Sequence, residues 1–371
     1  MSVQMQDWGS RQPVDSTIRQ GLRGDGPLIH WFILSALPVL AVLAGVSFGA
    51  ARIPLPQVIS SLLSGLPGIA LSHHTAGEHL IVWQLRLPRV LMGGLIGAGL
   101  AVAGAAVQAV FRNPLADPGL IGVSSGSALA AIVMIVLGDF IMVGWLSQFQ
   151  AVALPVAAFT GGLITTALIY RISTLDGSTR IFTLLLAGIA ISALTGAVSG
   201  VLTYLADDGQ LRSLTFWSMG SLGGLSWQSL WTAGPWILLA LVVLPCFRQA
   251  LNALLLGEQV AQHLGMSAQR IKKVVIAIAA VAVGATVAVA GMIGFVGLVV
   301  PHLMRLWLGP DHARLLPASA LSGASLLILS DVMSRTVAAP AEIPIGIITA
   351  LIGSPFFLWL LLSQGQRGHM E

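Results

Sequence analysis

Charge is what this sequence has least of. Of its 371 residues only 9% are Asp, Glu, Lys or Arg, against roughly 25% in an ordinary soluble domain. A soluble fold of this size could not cover its surface with so few charges, which excludes a soluble enzyme, a disordered tail and a nucleic-acid binder. The net charge of +4 is too small to hold a polyanion. Cysteine is nearly absent: Cys246 stands alone, so no intrachain disulfide can form. Lysine is almost as rare, with only Lys272 and Lys273, both following Ile271. The chain therefore has no Gly-x-x-x-x-Gly-Lys-Ser/Thr phosphate-binding loop, and any step driven by ATP needs another polypeptide.

What the sequence has instead is apolar length. Hydrophobic residues make up 56% of it, and a hydrocarbon core ~30 Å thick needs ~20 of them per helix. The fold class expected is an all-α polytopic membrane protein with about ten transmembrane helices. They are placed near 28–50, 89–110, 119–138, 150–171, 181–205, 228–247, 271–293, 295–308, 314–334 and 346–363. The first run is a full span rather than the 7–15 residues of a secretory signal. Residues 1–27 then form a cytoplasmic extension, 28–363 the membrane domain and 364–371 a cytoplasmic tail. With the N-terminus inside, 13 basic residues fall on cytoplasmic segments and five outside: Arg52, Arg86, Arg89, Arg212 and Arg335. That asymmetry supports the even count and the inside termini.

The 42 glycines include Gly93-xxx-Gly97, Gly122-xxx-Gly126 and Gly196-xxx-Gly200 within predicted spans. Lipid gives helices no hydrophobic reason to associate, so such small residues argue for close backbone packing. Gly97–Pro114 and Gly284–Pro301 also match at seven of 18 positions without a gap. On this count they belong to helices crossing in opposite directions, the pattern of a weak inverted repeat.

Four places carry candidate chemistry. Asp331 and Arg335, four residues apart on one helix face, read as a local ion pair before a proton relay. His73, His74, Glu78 and His79 miss the H-x-x-E-H spacing by one residue and read as a solvated loop rather than a metal site. Gln249–Lys273 has Leu255, Val260 and Leu264 at helical spacing, Gly265 to break the helix and Ser267 to cap another. A short helix pair there suits a groove on a soluble partner, or a lipid surface. Arg112–Gly119 reads RNPLADPG: Pro114 ends a helix, and Asp117 with Pro118 starts the next. That leaves Asn113 and Leu115 unexplained at the inner mouth of any central path.

WQLRLPRVLMGGLIGAGLAVAGAAVQAVFRNPLADPGLIGVSSG, FWSMGSLGG, LLGEQVAQHLGM, GMIGFVGLVVPHLMR and APAEIPIGIITALIGSPFFLWLLL together resemble the permease subunits of ABC importers for iron–siderophores, haem and vitamin B12, the FecCD type. The likeness runs in register over roughly residues 80–363. It implies a type II importer fold in the bacterial inner membrane, built as a homodimer. Two cytoplasmic ATPase subunits and one periplasmic binding protein would join it. By resemblance the coupling helices lie within 249–273 and include Glu258, His263, Leu264 and Gly265. Arg86 and Arg335 match outer arginines that dock the binding protein's acids. Asn113 and Leu115 match a cytoplasmic gate, with the Ser178–Thr179 turn opposite. No cofactor is expected on this chain, ATP and Mg belonging to the partner. LTYLADDGQLRSLTFWSMGSLGG and GPDHARLLPASAL look most like the haem branch, so haem is the expected cargo, with ferric siderophore or vitamin B12 the alternative. An ion-driven secondary transporter is the competing class.

Overall fold

The computed structural model describes residues 26–49, 51, 53–64 and 75–367, and nearly all of them are helical. In chain order the first helices are α1 (Gly26–Ser47), α2 (Leu55–Ser64), α3 (Ala76–Leu80), α4 (Leu87–Phe111), α5 (Val123–Ile141), α6 (Gln150–Ser173) and α7 (Ile181–Leu205). There follow α8 (Asp208–Met219), α9 (Trp227–Cys246), α10 (Arg248–Leu256), α11 (Glu258–His263), α12 (Ala268–Ala290), α13 (Val296–Leu308), α14 (His312–Thr336) and α15 (Ile345–Arg367). Each of the ten expected spans is met by one helix, and among the described residues eight helices are long and apolar enough to cross a membrane. The exceptions are α13, whose 13 residues reach only about 20 Å, and α15, apolar over Ile345–Leu360.

The second span differs most from expectation. A single-turn π-helix, Ile81–Arg86, joins α3 to α4, so the helix runs unbroken from Ala76 to Phe111. The charges at Arg86 and Arg89 suggest an end, but both are buried within the rod. α4 forms the middle of the bundle, with 21 of its 25 residues buried. A helix apolar all round must be enclosed, and α9, α12, α13 and α14 enclose it. Glycine permits the approach: a Cβ on Gly97 would strike the Gly323 carbonyl of α14, and one on Gly104 the Gly297 backbone of α13. By contrast α7 buries only Leu184, Gly188 and Thr195, and nothing lies near Gly196 or Gly200.

The echo between 97–114 and 284–301 stops being structural half-way. Six of its seven identities fall in Gly97–Gly104 and Gly284–Gly291. Beyond that point α4 continues as helix, whereas the second copy unwinds from Gly291 and re-enters helix at Val296. Irregular backbone within a bundle is tolerated where protein encloses it. Here Gly220 and Gly346 pack beside the Met292 carbonyl.

Candidate functional site

Two polar clusters stand at opposite ends of this apolar bundle. One gathers Arg86, Arg89, Asp331, Arg335 and Glu342. The Arg86 guanidinium donates to the carbonyls of Val46 at 2.7 Å, Ser47 at 2.8 Å and Ala51. It thereby satisfies carbonyls that the end of α1 leaves without helical partners. Asp331 accepts from Arg89 at 2.8 Å and pairs with Arg335 at 3.1 Å; Arg335 also donates to the Gly45 carbonyl at 2.7 Å. Arg89 reaches on to Glu342, at 2.9 Å, in the loop before α15. Two guanidinium groups and two carboxylates thus neutralise one another. Hydrogen bonds from Arg89 hold the half-exposed Glu342 carboxyl below the ordinary carboxylate range.

The structure thus gives Arg86 and Arg335, the two arginines expected to dock a partner, contacts within the chain itself. Both are buried, about 5% exposed, and both are engaged within the chain. The Asp331–Arg335 pair is present as the i,i+4 spacing suggests. Sequence reading missed that Arg89 bridges Asp331 to Glu342, residues more than 240 positions away. The only signal was two arginines three apart in a long run otherwise without charge.

The neighbouring histidine segment is also more ordered than a loop. Thr75 and Glu78 form a reciprocal capping box that starts α3, and His79 Nδ1 lies 3.3 Å from Ser61 Oγ. His73 and His74 lie outside the described residues. Among the described residues no group of three His, Cys, Asp or Glu is placed to hold a metal.

The other cluster lies where the arginine bias places the inner face. Between α6 and α7, Thr174–Leu175 and Ser178–Thr179 pair as a two-stranded antiparallel hairpin. Asp176 and Gly177 turn it, both with positive φ, 52° and 73°, as a two-residue Asp-Gly hairpin turn requires. The Ser178–Thr179 "turn" of the sequence is therefore the hairpin's second strand. With no third strand beside it, the peptide groups of Thr179 go to α12 instead. Its N–H donates to Gln269 Oε1 at 2.9 Å, and its carbonyl accepts from Lys272 Nζ at 3.0 Å. Gln269 and Lys272, three apart, share one face of α12.

Both then turn to Glu258, the first residue of α11. Lys272 pairs with its carboxylate at 2.7 Å, and Gln269 Nε2 lies 3.4 Å from it. Arg112, just past the end of α4, stands 3.8 Å from the same Glu258 oxygen that Lys272 holds. Asn113 follows, its Oδ1 accepting the Leu115 amide at 2.9 Å in an Asx turn. Asp117 accepts from Gly119 at 2.7 Å and starts the 3-10 turn Pro118–Ile121, as its N-cap reading predicts. Ser178, Thr179 and Glu258 are thus brought into one network, and Asn113 adjoins it through Arg112.

The segment expected to meet a partner is two short helices, and it breaks at Gly257 (φ 121°) as well as at Gly265. α11 ends in a Schellman turn: Met266 N–H donates to the Ala261 carbonyl and Gly265 N–H to that of Gln262. Gly265, with φ 76°, supplies the left-handed residue this needs. Of the expected stripe, Val260 is exposed on α11 and Leu264 just past it, with His263 exposed between them, whereas Leu255, on α10, is half-buried against the core. A second tie secures α10. Asn252 donates to Asp311 at 2.7 Å and accepts from the His312 amide at 2.9 Å. Hydrogen bonds from the Ala313 amide and Asn252 hold the Asp311 carboxyl below its usual range.

A family model, the FecCD transport family, matches residues 37–363. The chain belongs to that family. The haemin transport permease HmuU of Yersinia pestis is 46% identical over 287 residues, 77% of this chain and 84% of that protein. The cobalamin import permease BtuC of Halobacterium salinarum is 41% identical, covering 90% and 89%. The vitamin B12 permease BtuC of Klebsiella pneumoniae is 40% identical over 86% and 94%. A solved structure of an inward-facing transporter of the metal-chelate ABC type superposes with a TM-score of 0.78 at 33% identity, over 91% of this chain and 99% of that one. The chain is therefore an ABC importer permease of the FecCD type, a multi-pass membrane protein whose relatives are transport subunits rather than enzymes.

Proposed function

We propose that this chain is the membrane half of an ATP-driven haem importer of a bacterial inner membrane, working as a homodimer with cytoplasmic termini. Two cytoplasmic ATPase subunits dock on α10 and α11, and one periplasmic binding protein delivers cargo at the other face. The observation that carries this is the exposed Val260–Leu264 turn, joined through Glu258 to the Ser178–Thr179 hairpin. A surface shaped for a soluble partner is wired directly to the mouth of the bundle, in a chain with no nucleotide loop of its own. His263, Leu264 and Gly265 form the docking tip, and Asn113, Leu115, Ser178 and Thr179 form the gate. The uncovered face of α7, with Gly196 and Gly200, is where the second copy and the cargo path belong. Membrane lipid covers the remaining apolar surface.

Docking of the binding protein at Arg86 and Arg335 proceeds by exchange: its acids replace partners that these arginines now have within the chain. Half-exposed Glu342 is the first partner to yield, which brings Arg89 into the same role. Haem is favoured by the 46% identity to a haemin permease. Vitamin B12 is the second reading, favoured by 40–41% identity over a longer stretch. The test is reconstitution with the cognate ATPase and binding protein, comparing haem, ferric siderophore and cobalamin. ATP-dependent haem uptake is expected. Uptake driven by an ion gradient without the ATPase would overturn the proposal in favour of a secondary transporter.

A further inference from the structure

Among the described residues Lys272 is the largest side chain that is fully buried, with 1% exposed. A buried ammonium is costly unless paired and hydrogen-bonded. Its partners here come from two separate pieces of chain: the Glu258 carboxylate at 2.7 Å and the Thr179 carbonyl at 3.0 Å. Gln269 repeats the pattern one turn earlier, accepting from the Thr179 amide and approaching both Ser178 Oγ and Glu258 at 3.4 Å. Neither piece can leave alone: if Glu258 withdrew, the ammonium would remain in an apolar setting without its counter-charge. If the hairpin withdrew, both Thr179 peptide groups would lose their bonds.

Resting on the reading of 248–265 as coupling segment and 174–179 as gate, we propose that Lys272 and Gln269 are positioning residues that bind the two into one moving unit. Displacement of α11 by the ATPase is carried through Glu258 and this pair of side chains to the hairpin. Arg112, 3.8 Å from Glu258, extends the same link toward Asn113 at the end of α4. The device is a cross-brace: two side chains of one helix hold the N–H and C=O of a single residue, Thr179, and share one carboxylate.

The test uses the full complex of permease, ATPase and binding protein in liposomes. It reads two quantities, cargo moved per ATP hydrolysed and thiol accessibility at the hairpin. For the second, Cys246 is replaced by Ser, and Leu175→Cys, exposed on the hairpin's first strand, is labelled with an impermeant maleimide with and without nucleotide. Lys272→Met is expected to let hydrolysis continue while transport per ATP falls about tenfold, with the labelling rate no longer responding to nucleotide. Couplings between sites commonly span 5- to 150-fold. Lys272→Arg, which keeps charge and donors, is expected to restore most of both. Wild-type stoichiometry and labelling in Lys272→Met would overturn the proposal, as would transport and hydrolysis falling in equal proportion. If Lys272→Met fails to assemble, Gln269→Ala decides on the same two readouts, because it removes the Thr179 amide bond and leaves the ion pair. A wild-type complex without ATP-dependent uptake would refute the function instead, so the two failures are distinct.

Discussion

Replacing Asp331 by Ala tests the charge cluster most severely. Asp331 is 2% exposed and lies between Arg335 at 3.1 Å and Arg89 at 2.8 Å. Removing it takes the five-membered cluster, Arg86 included, from a net +1 to a net +2, with Arg335 left only the Gly45 carbonyl as a hydrogen-bond acceptor. Breaking a buried pair by deleting one partner costs about 3–5 kcal/mol, a factor of roughly a hundred to a few thousand in the folded ratio. The double substitution Asp331→Ala with Arg335→Met returns the cluster to its original net charge, since Arg89 keeps Glu342 at 2.9 Å. It loses one hydrogen bond to Gly45, about 1 kcal/mol, and is expected to be at least about 2 kcal/mol more stable than Asp331→Ala. Equilibrium unfolding in mixed micelles, followed by tryptophan fluorescence, measures all three. A loss below about 1 kcal/mol in Asp331→Ala would refute the reasoning, and so would simple additivity of the two single changes.

Three further outcomes are expected. Glu342→Gln should be less stable than wild type at neutral pH, with the gap closing on acidification. Glu342 has a depressed folded-state pKa, so its contribution is present above the unfolded value and is lost as pH falls through the folded one; a gap that persists well below the carboxylate range would contradict the Arg89 bond. Gly265→Ala places a Cβ at φ 76°, costing about 1–2 kcal/mol at the turn, and should lower transport per ATP while the bundle stays folded, as hydrogen exchange across α12 would check. Gly104→Ala drives a methyl into the Gly297 backbone and should destabilise by about 1–3 kcal/mol; an unchanged unfolding midpoint would show that α4 and α13 do not meet there.

Eight of the spans were legible because length and apolarity alone define them, and the motifs at 112–119 and 249–273 lay where their punctuation placed them. Harder to see were α2, α3 and α8, which are short and have no long apolar run to announce them. Arg86 and Arg89 read as an end to the second span, because a charge in a sequence shows its cost and not its partner. Lys272 was counted with the inner cations, yet it is buried against a carboxylate 14 positions earlier and a carbonyl 93 positions away. The echo at 97–104 and 284–291 shows the same limit. Gly104 and Gly291 are the same residue in matched places, one admitting a neighbouring backbone and the other leaving the helix at φ 69°.

The enclosure of α4 has a mechanical consequence. Tilting or turning that helix would disturb dry contacts along almost its whole length, whereas α7 is held at three buried positions and the α10–α11 segment at four, with a handful of polar bonds. Motion is cheap at the rim and dear at the axle. On the proposed function the bundle is a stator with a lighter outer linkage, and the stroke of an ATPase would go to the hairpin instead of being absorbed by the frame.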